Sequence, residues 1–114
     1  MKKVNFRGSS KDDLKSFNED IIDDIGYQLH LVQSGFEPDN SKPMKSIGVG
    51  VKEIRVKDKD GIYRCIYIAK FAEFIFVLHC FQKKTEETPD KDIKLAKKRL
   101  KEVYQEQKNV RKLR

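Results

Sequence analysis

Tryptophan is absent from the chain, and cysteine and histidine occur only twice each. Cys65 and Cys80 form no CxxC, and His30 and His79 lie far apart. A tetrahedral zinc site draws four ligands mostly from these two residue types, so none is expected here, and no other cofactor is indicated. Two isolated thiols point to a reducing, cytoplasmic setting, with both cysteines in the core and no disulfide between them. No apolar run approaches the roughly 20 residues of a membrane span. The opening "MKKVNFRGSS" has lysines but lacks the apolar centre of a signal peptide. There is no glycine-rich phosphate loop and no nucleophile elbow. Asp58, Asp60 and Gly61 lack the remaining ligand spacing of a calcium loop and read as a hairpin turn.

What is abundant is charge. Of 114 residues, 38% are charged, and the net charge is +7. The charge is also segregated. Residues 9–25 carry two basic and six acidic groups, whereas residues 82–114 carry twelve basic and six acidic ones. Residues 42–81 are basic by eight to four. Separation of this kind marks a face for a polyanionic partner better than net charge does.

A chain of this length suits one compact domain spanning residues 1–114, with a frayed basic tail expected after about residue 105. Lys3–Phe6 reads as a short edge strand. Ser10 and Asp13 fit a capping box. Apolar residues from Leu14 to Val32 recur at helical spacing and predict helices over 10–17 and 19–34. Asn18 caps the second of these, Phe17 staples onto Ile22, and Gly35 closes it. Residues 35–46 read as a loop with two prolines. The period then changes to two, predicting strands over 51–56, 62–69 and 74–81 joined by hairpins. Thr88-Pro89-Asp90 is a helix start with Thr88 as the cap. Ile93, Ala96, Leu100, Val103 and Tyr104 give that last helix one apolar stripe. The fold class is therefore α+β: two N-terminal helices on a twisted antiparallel sheet of about four strands, plus a C-terminal helix.

Alternation places Val51, Glu53 and Arg55 on one face of their strand. A two-residue turn at Phe71-Ala72 in the next hairpin pairs Arg64 with His79 on one face, beside Gln82 and Lys83, and leaves Cys65 and Cys80 unopposed. Arginine, histidine and lysines gathered in this way suit a phosphodiester: the cations hold the charge, and the imidazole moves a proton near neutral pH. The structural alternatives are a satisfied strand histidine and arginines in surface ion pairs.

The segments "EIRV" (Glu53–Val56), "YR" (Tyr63-Arg64) and "VLHCFQKKTEETP" (Val77–Pro89) resemble the phage-derived, HigB-like branch of the RelE/ParE toxin superfamily. The resemblance runs from Val4 to about Tyr104. It implies the RelE-like fold, and a toxin of a type II toxin–antitoxin pair that cuts mRNA in the ribosomal A site without a metal. The implied chemistry is attack of a ribose 2′-hydroxyl on the neighbouring phosphate. It implies a cognate antitoxin, often a helix-turn-helix protein, as partner. The residues carried over are Arg64 at the scissile phosphate, Lys83 for a second arginine, and Arg55. Lys52, Lys57 and Lys84 are assigned to RNA contact. Val51 and Glu53 stand where the prototype has a lysine pair, and a proline-led helix replaces its late tyrosine. His79 or Lys83 is then the candidate base. The alternatives are a ParE-like DNA gyrase poison and a non-catalytic phage-derived module that binds nucleic acid or antitoxin.

Overall fold

The computed structural model describes residues 1–83 and 87–113, with side chains described to residue 111. Its elements are β1 (Lys3–Phe6), α1 (Ser10–Lys15), α2 (Glu19–Gln33), β2 (Ser41–Pro43), β3 (Val51–Asp58), β4 (Gly61–Ile68), β5 (Phe74–Lys83) and α3 (Asp90–Leu113). The strands form one sheet in the order β1-β5-β4-β3-β2. β1 runs parallel to β5, and the other three pairings are antiparallel. The sheet is thus mixed and five-stranded, where the sequence predicts about four antiparallel strands. The added strand, β2, lies in the proline-containing loop. Only three residues long, it pairs with Lys52–Ile54 at the sheet's edge, where Pro43 needs no ladder donor.

Local chemistry explains the helix ends. The Asn18 side chain accepts from the Ile21 N–H at 3.0 Å and caps α2. Phe17 packs edge-on against Tyr63, with 4.9 Å between ring centroids. Gly35, at φ +87°, closes the other end: Phe36 N–H reaches Leu31 O, and Gly35 N–H reaches Val32 O, a Schellman motif. Ser10 is not the cap that its spacing predicts. It is buried, and its hydroxyl donates to Val77 O at 3.2 Å, tying α1 to β5. Ser9 takes the cap position without a side-chain cap bond. At α3, Pro89 O accepts from the N–H groups of Asp92 and Ile93. Thr88 turns its hydroxyl to the sheet instead.

The two faces of the sheet carry separate cores. α1 and α2 cover one, burying Leu14, Ile21, Ile25 and Leu29 against Ile54, Cys65, Tyr67 and Val77. α3 covers the other, burying Ala96, Leu100 and Val103 against Ile66, Ile68, Phe76 and Leu78. Those three residues, with half-buried Ile93 and Tyr104, are the apolar stripe read from the sequence. α3 runs on to Leu113, through the basic stretch after residue 105. No helix among the described residues is long and apolar enough to cross a membrane.

The β4–β5 register departs from expectation. Arg64 stands opposite Phe81, and His79 opposite Ile66. Phe71 is no turn corner: its ring packs against Phe76 and Tyr104 at 5.4 and 5.6 Å, which lengthens the loop. A register shift between Ile66 and Tyr67 then leaves Leu78 as the extra residue. Cys65 and Cys80 consequently face each other directly, buried and unbridged. The Leu78 carbonyl at the shift is met by the buried Arg99 guanidinium at 2.8 Å, whose other arm donates to Ser9 Oγ at 3.0 Å.

Candidate functional site

The ladders set three cross-strand rows on the α3 face of the sheet. Lys57, Ile62 and Lys83 form the outermost row, Arg55, Arg64 and Phe81 the next, and Glu53, Ile66 and His79 the third. Because the register differs from expectation by two residues, a full pleat, Arg64 and His79 still share a face. They are diagonal neighbours rather than partners. Arg55 and Arg64 are directly opposed cations, which by itself is repulsive.

Glu53 resolves that repulsion. Its carboxylate is wholly buried and accepts from Arg64 Nη1 at 2.9 Å, with Arg55 Nε at 3.7 Å. Thr88, just ahead of α3, completes the cluster. Its hydroxyl donates to Glu53 Oε2 at 3.2 Å and takes a bond from Arg64 Nη1 at 3.2 Å. Arg64 is itself wholly buried, so the arginine expected at a phosphate is held as the inner half of an ion pair. The Arg55 side chain keeps 18% of its exposure and reaches the rim.

The second half of the site is built on Asp92, in the first turn of α3. Its Oδ1 lies 2.7 Å from His79 Nε2, and its Oδ2 lies 3.7 Å from Lys83 Nζ. The His79 ring stacks on Phe81, 4.7 Å between centroids. His79 and Asp92 are buried, and Nδ1 of His79 meets no hydrogen-bond partner among the described residues. Lys83, with 22% of its side chain exposed, is the member of this trio that reaches solvent. Of the remaining expected residues, Lys57 is exposed on the same face, at the hairpin end. Lys52 is on the opposite face and pairs with Glu37 at 2.9 Å, apart from the others. Lys84 lies outside the described residues.

Glu53, Thr88 and Asp92 are the members that the sequence reading did not assign. Alternation already placed Glu53 beside Arg55. Thr88 reads from the sequence as the cap of α3 and Asp92 carries no assigned role there, and only the docking of that helix brings both to the sheet. Thr88 also lines a cleft of about 470 Å³ between β2 and α3, with Lys42, Lys45, Met44, Glu87 and Ile93 on its walls. A second cleft, about 290 Å³, lies at the other face between Phe36, Tyr67 and Lys70. Burial there pushes the Tyr67 phenol up to about 12, reinforced by the Glu37 charge. The Cys65 thiol is pushed well above its ordinary range, first by its contact with Cys80 and then by burial. Among the described residues no three His, Cys, Asp or Glu side chains gather as metal ligands would.

Chemically, the site offers a rim of Arg55, Lys57 and Lys83 for an anion, over a buried layer whose carboxylates fix the cations' positions. No curated protein matches the chain. Residues 12–101 match the family described as phage derived protein Gp49-like (DUF891), which covers most of the chain, and the protein belongs to that family.

Proposed function

Taking membership of that phage-derived family as the premise, we propose that the protein is the toxin of a type II toxin–antitoxin pair with a RelE-like fold, acting in the cytoplasm as a ribosome-dependent mRNA endonuclease. The observation that carries this reading is the cationic rim of Arg55, Lys57 and Lys83 above a layer of buried carboxylates. Rim cations of this kind hold a phosphodiester and stabilise the extra charge that develops on it. In this reading the ribose 2′-hydroxyl passes its proton to water as its oxygen bonds to the adjacent phosphorus. The bond to the 5′-oxygen breaks, and that oxygen takes up a proton, leaving a cyclic phosphate.

Exposure sorts the roles. Arg55 and Lys83 face the substrate, and Lys83 is the proton-handling group. His79 acts through Asp92, which it orients toward Lys83 Nζ. Arg64 acts through Glu53, holding the carboxylate that positions Arg55. The partners of this reading are mRNA in the ribosomal A site and a cognate antitoxin of helix-turn-helix type.

The test is induction in cells followed by mapping of transcript 5′ ends. Cuts inside translated codons that vanish when translation is blocked are expected. Arg55→Gln and Lys83→Gln should each relieve growth arrest with an unchanged circular dichroism spectrum. Growth arrest with intact transcripts overturns the nuclease, and a supercoiling assay with purified gyrase then reads the ParE-like alternative. Full toxicity of both variants would sink the proposed site.

A further inference from the structure

The outward face of α3 is a second cationic surface, separate from the rim. Lys91, Lys94, Lys97, Lys98, Lys101 and Lys108 are all exposed there, opposite the buried stripe of Ala96, Leu100 and Val103. At 1.5 Å per residue they form a ridge ~25 Å long. None of the six makes an ion pair among the described residues.

The order of charges matters more than their number. A helix that needs only solubility intersperses glutamates at i+4 from its lysines, which also stabilises it. Here Lys94 precedes Lys98, and Lys97 precedes Lys101, both at i+4. Lys91 precedes Lys94, Lys94 precedes Lys97, and Lys98 precedes Lys101, all at i+3. Each like-charged pair weakens the helix, and the two acids at matching spacing, Asp90 four residues before Lys94 and Glu102 four after Lys98, offset only part of the five repulsive pairs.

We propose that this ridge docks on the phosphate backbone of double-helical RNA, at a place distinct from the Arg55–Lys83 rim. A membrane surface fits poorly, because a helix at a bilayer inserts its apolar face, and that face of α3 is already committed to the sheet. An acidic protein fits poorly as well, since the ridge offers no exposed aromatic or aliphatic anchor among its lysines. A sequence-independent row of ammonium groups suits a backbone of regularly spaced phosphates. The choice of RNA over DNA rests on the proposed function, and A-form RNA presents its backbone beside a wide, shallow groove that a convex helix can approach.

The experiment compares the full chain with a K94Q/K97Q/K98Q/K101Q variant, binding a fluorescein-labelled 20-base-pair RNA duplex across a salt series. Glutamine keeps helix propensity at these exposed positions, so the circular dichroism spectra should coincide. The variant should bind at least tenfold more weakly at moderate salt. Its log K against log salt slope should be shallower by roughly 3, the loss of four phosphate contacts. Equal binding by variant and parent overturns the inference. So does tighter binding to a DNA duplex of the same sequence, or binding to phosphatidylglycerol vesicles and not to RNA. A chain that binds the duplex through these lysines yet cuts no transcript leaves the inference standing and overturns the nuclease reading.

Discussion

Glu53 is the residue on which the polar end of the sheet turns. It neutralises two arginines that the ladder forces into opposition, and it does so with no access to water. Removing one partner of a buried pair strands the other charge, at about 3–5 kcal/mol. Glu53→Gln should therefore lower the urea midpoint strongly. Replacing Glu53 and Arg64 together by leucine should cost much less, because no wholly buried charge is then left alone and Arg55 still reaches solvent at the rim. If the single and double variants were equally destabilised, the ion pair would not be the cause. Tyr67 gives a pH prediction. Its folded value of about 12 lies above the ordinary phenol value of 10.0, so folding favours the neutral form. That contribution is complete below pH 10 and is lost as pH rises from about 10 to 12. The Tyr63 phenol is also raised, by burial first and then by Asp58 and Asp60, and acts in the same direction. Tyr67→Phe should flatten the alkaline fall in stability without abolishing it, as read from urea midpoints at pH 8 and pH 11. Cys65 and Cys80, with the Cys65 thiol pushed up and both buried, should resist alkylation at pH 8 until the protein is unfolded.

Among the elements, α3 decides what the site becomes. Its first turn supplies Asp92, and the segment leading to it supplies Thr88. Arg99 then pins its middle to the Leu78 carbonyl freed by the register shift. Arg99→Ala should cost about 2 kcal/mol, since a buried carbonyl and a serine lose a charged donor. Hydrogen exchange should show faster opening of α3 amides while those of α2 stay protected. The elements were largely legible beforehand, because helix periodicity from Leu14 to Val32 and alternation from Val51 onward are local signals. The pairing was less so. Phe71 reads as a turn residue until its ring is seen against Phe76 and Tyr104, and a bulge leaves no local mark on an apolar run such as Phe74–Phe81. β2 was hidden by its brevity and by Pro43. The burial of Arg64 was not legible either, because it depends on a threonine 24 residues away arriving with a docked helix.

For the molecule as a whole, charge and layering coincide. The acidic α1 and α2 cover one face of the sheet, and the basic α3 covers the other, so the protein carries opposite potentials on its two sides. The buried stripe of α3 ends near Val103 and Tyr104. Beyond it, the Arg7–Glu106 ion pair at 2.5 Å, between side chains 16% and 53% exposed, ties the helix to the residue after β1. Such a pair contributes about 0–1 kcal/mol. A chain ending at Gln105 should therefore fold, with a melting temperature within a few degrees of the full chain. A collapse of stability would show that the last turns of α3 carry a contact of their own.

The parallel pairing of β1 with β5 also has a meaning in time. Lys3–Phe6 leaves the ribosome some seventy residues ahead of its neighbours Phe74–Val77. Until then the opening strand has no ladder and α1 has no Val77 carbonyl to grip. The sheet therefore closes from its late end, and α3, the last of the described elements, seals Glu53 and Arg64. A nascent chain interrupted before α3 would expose a half-covered sheet with two unsheltered arginines. For a protein read as a toxin of translation, the assembled surface would exist only once α3 has left the ribosome.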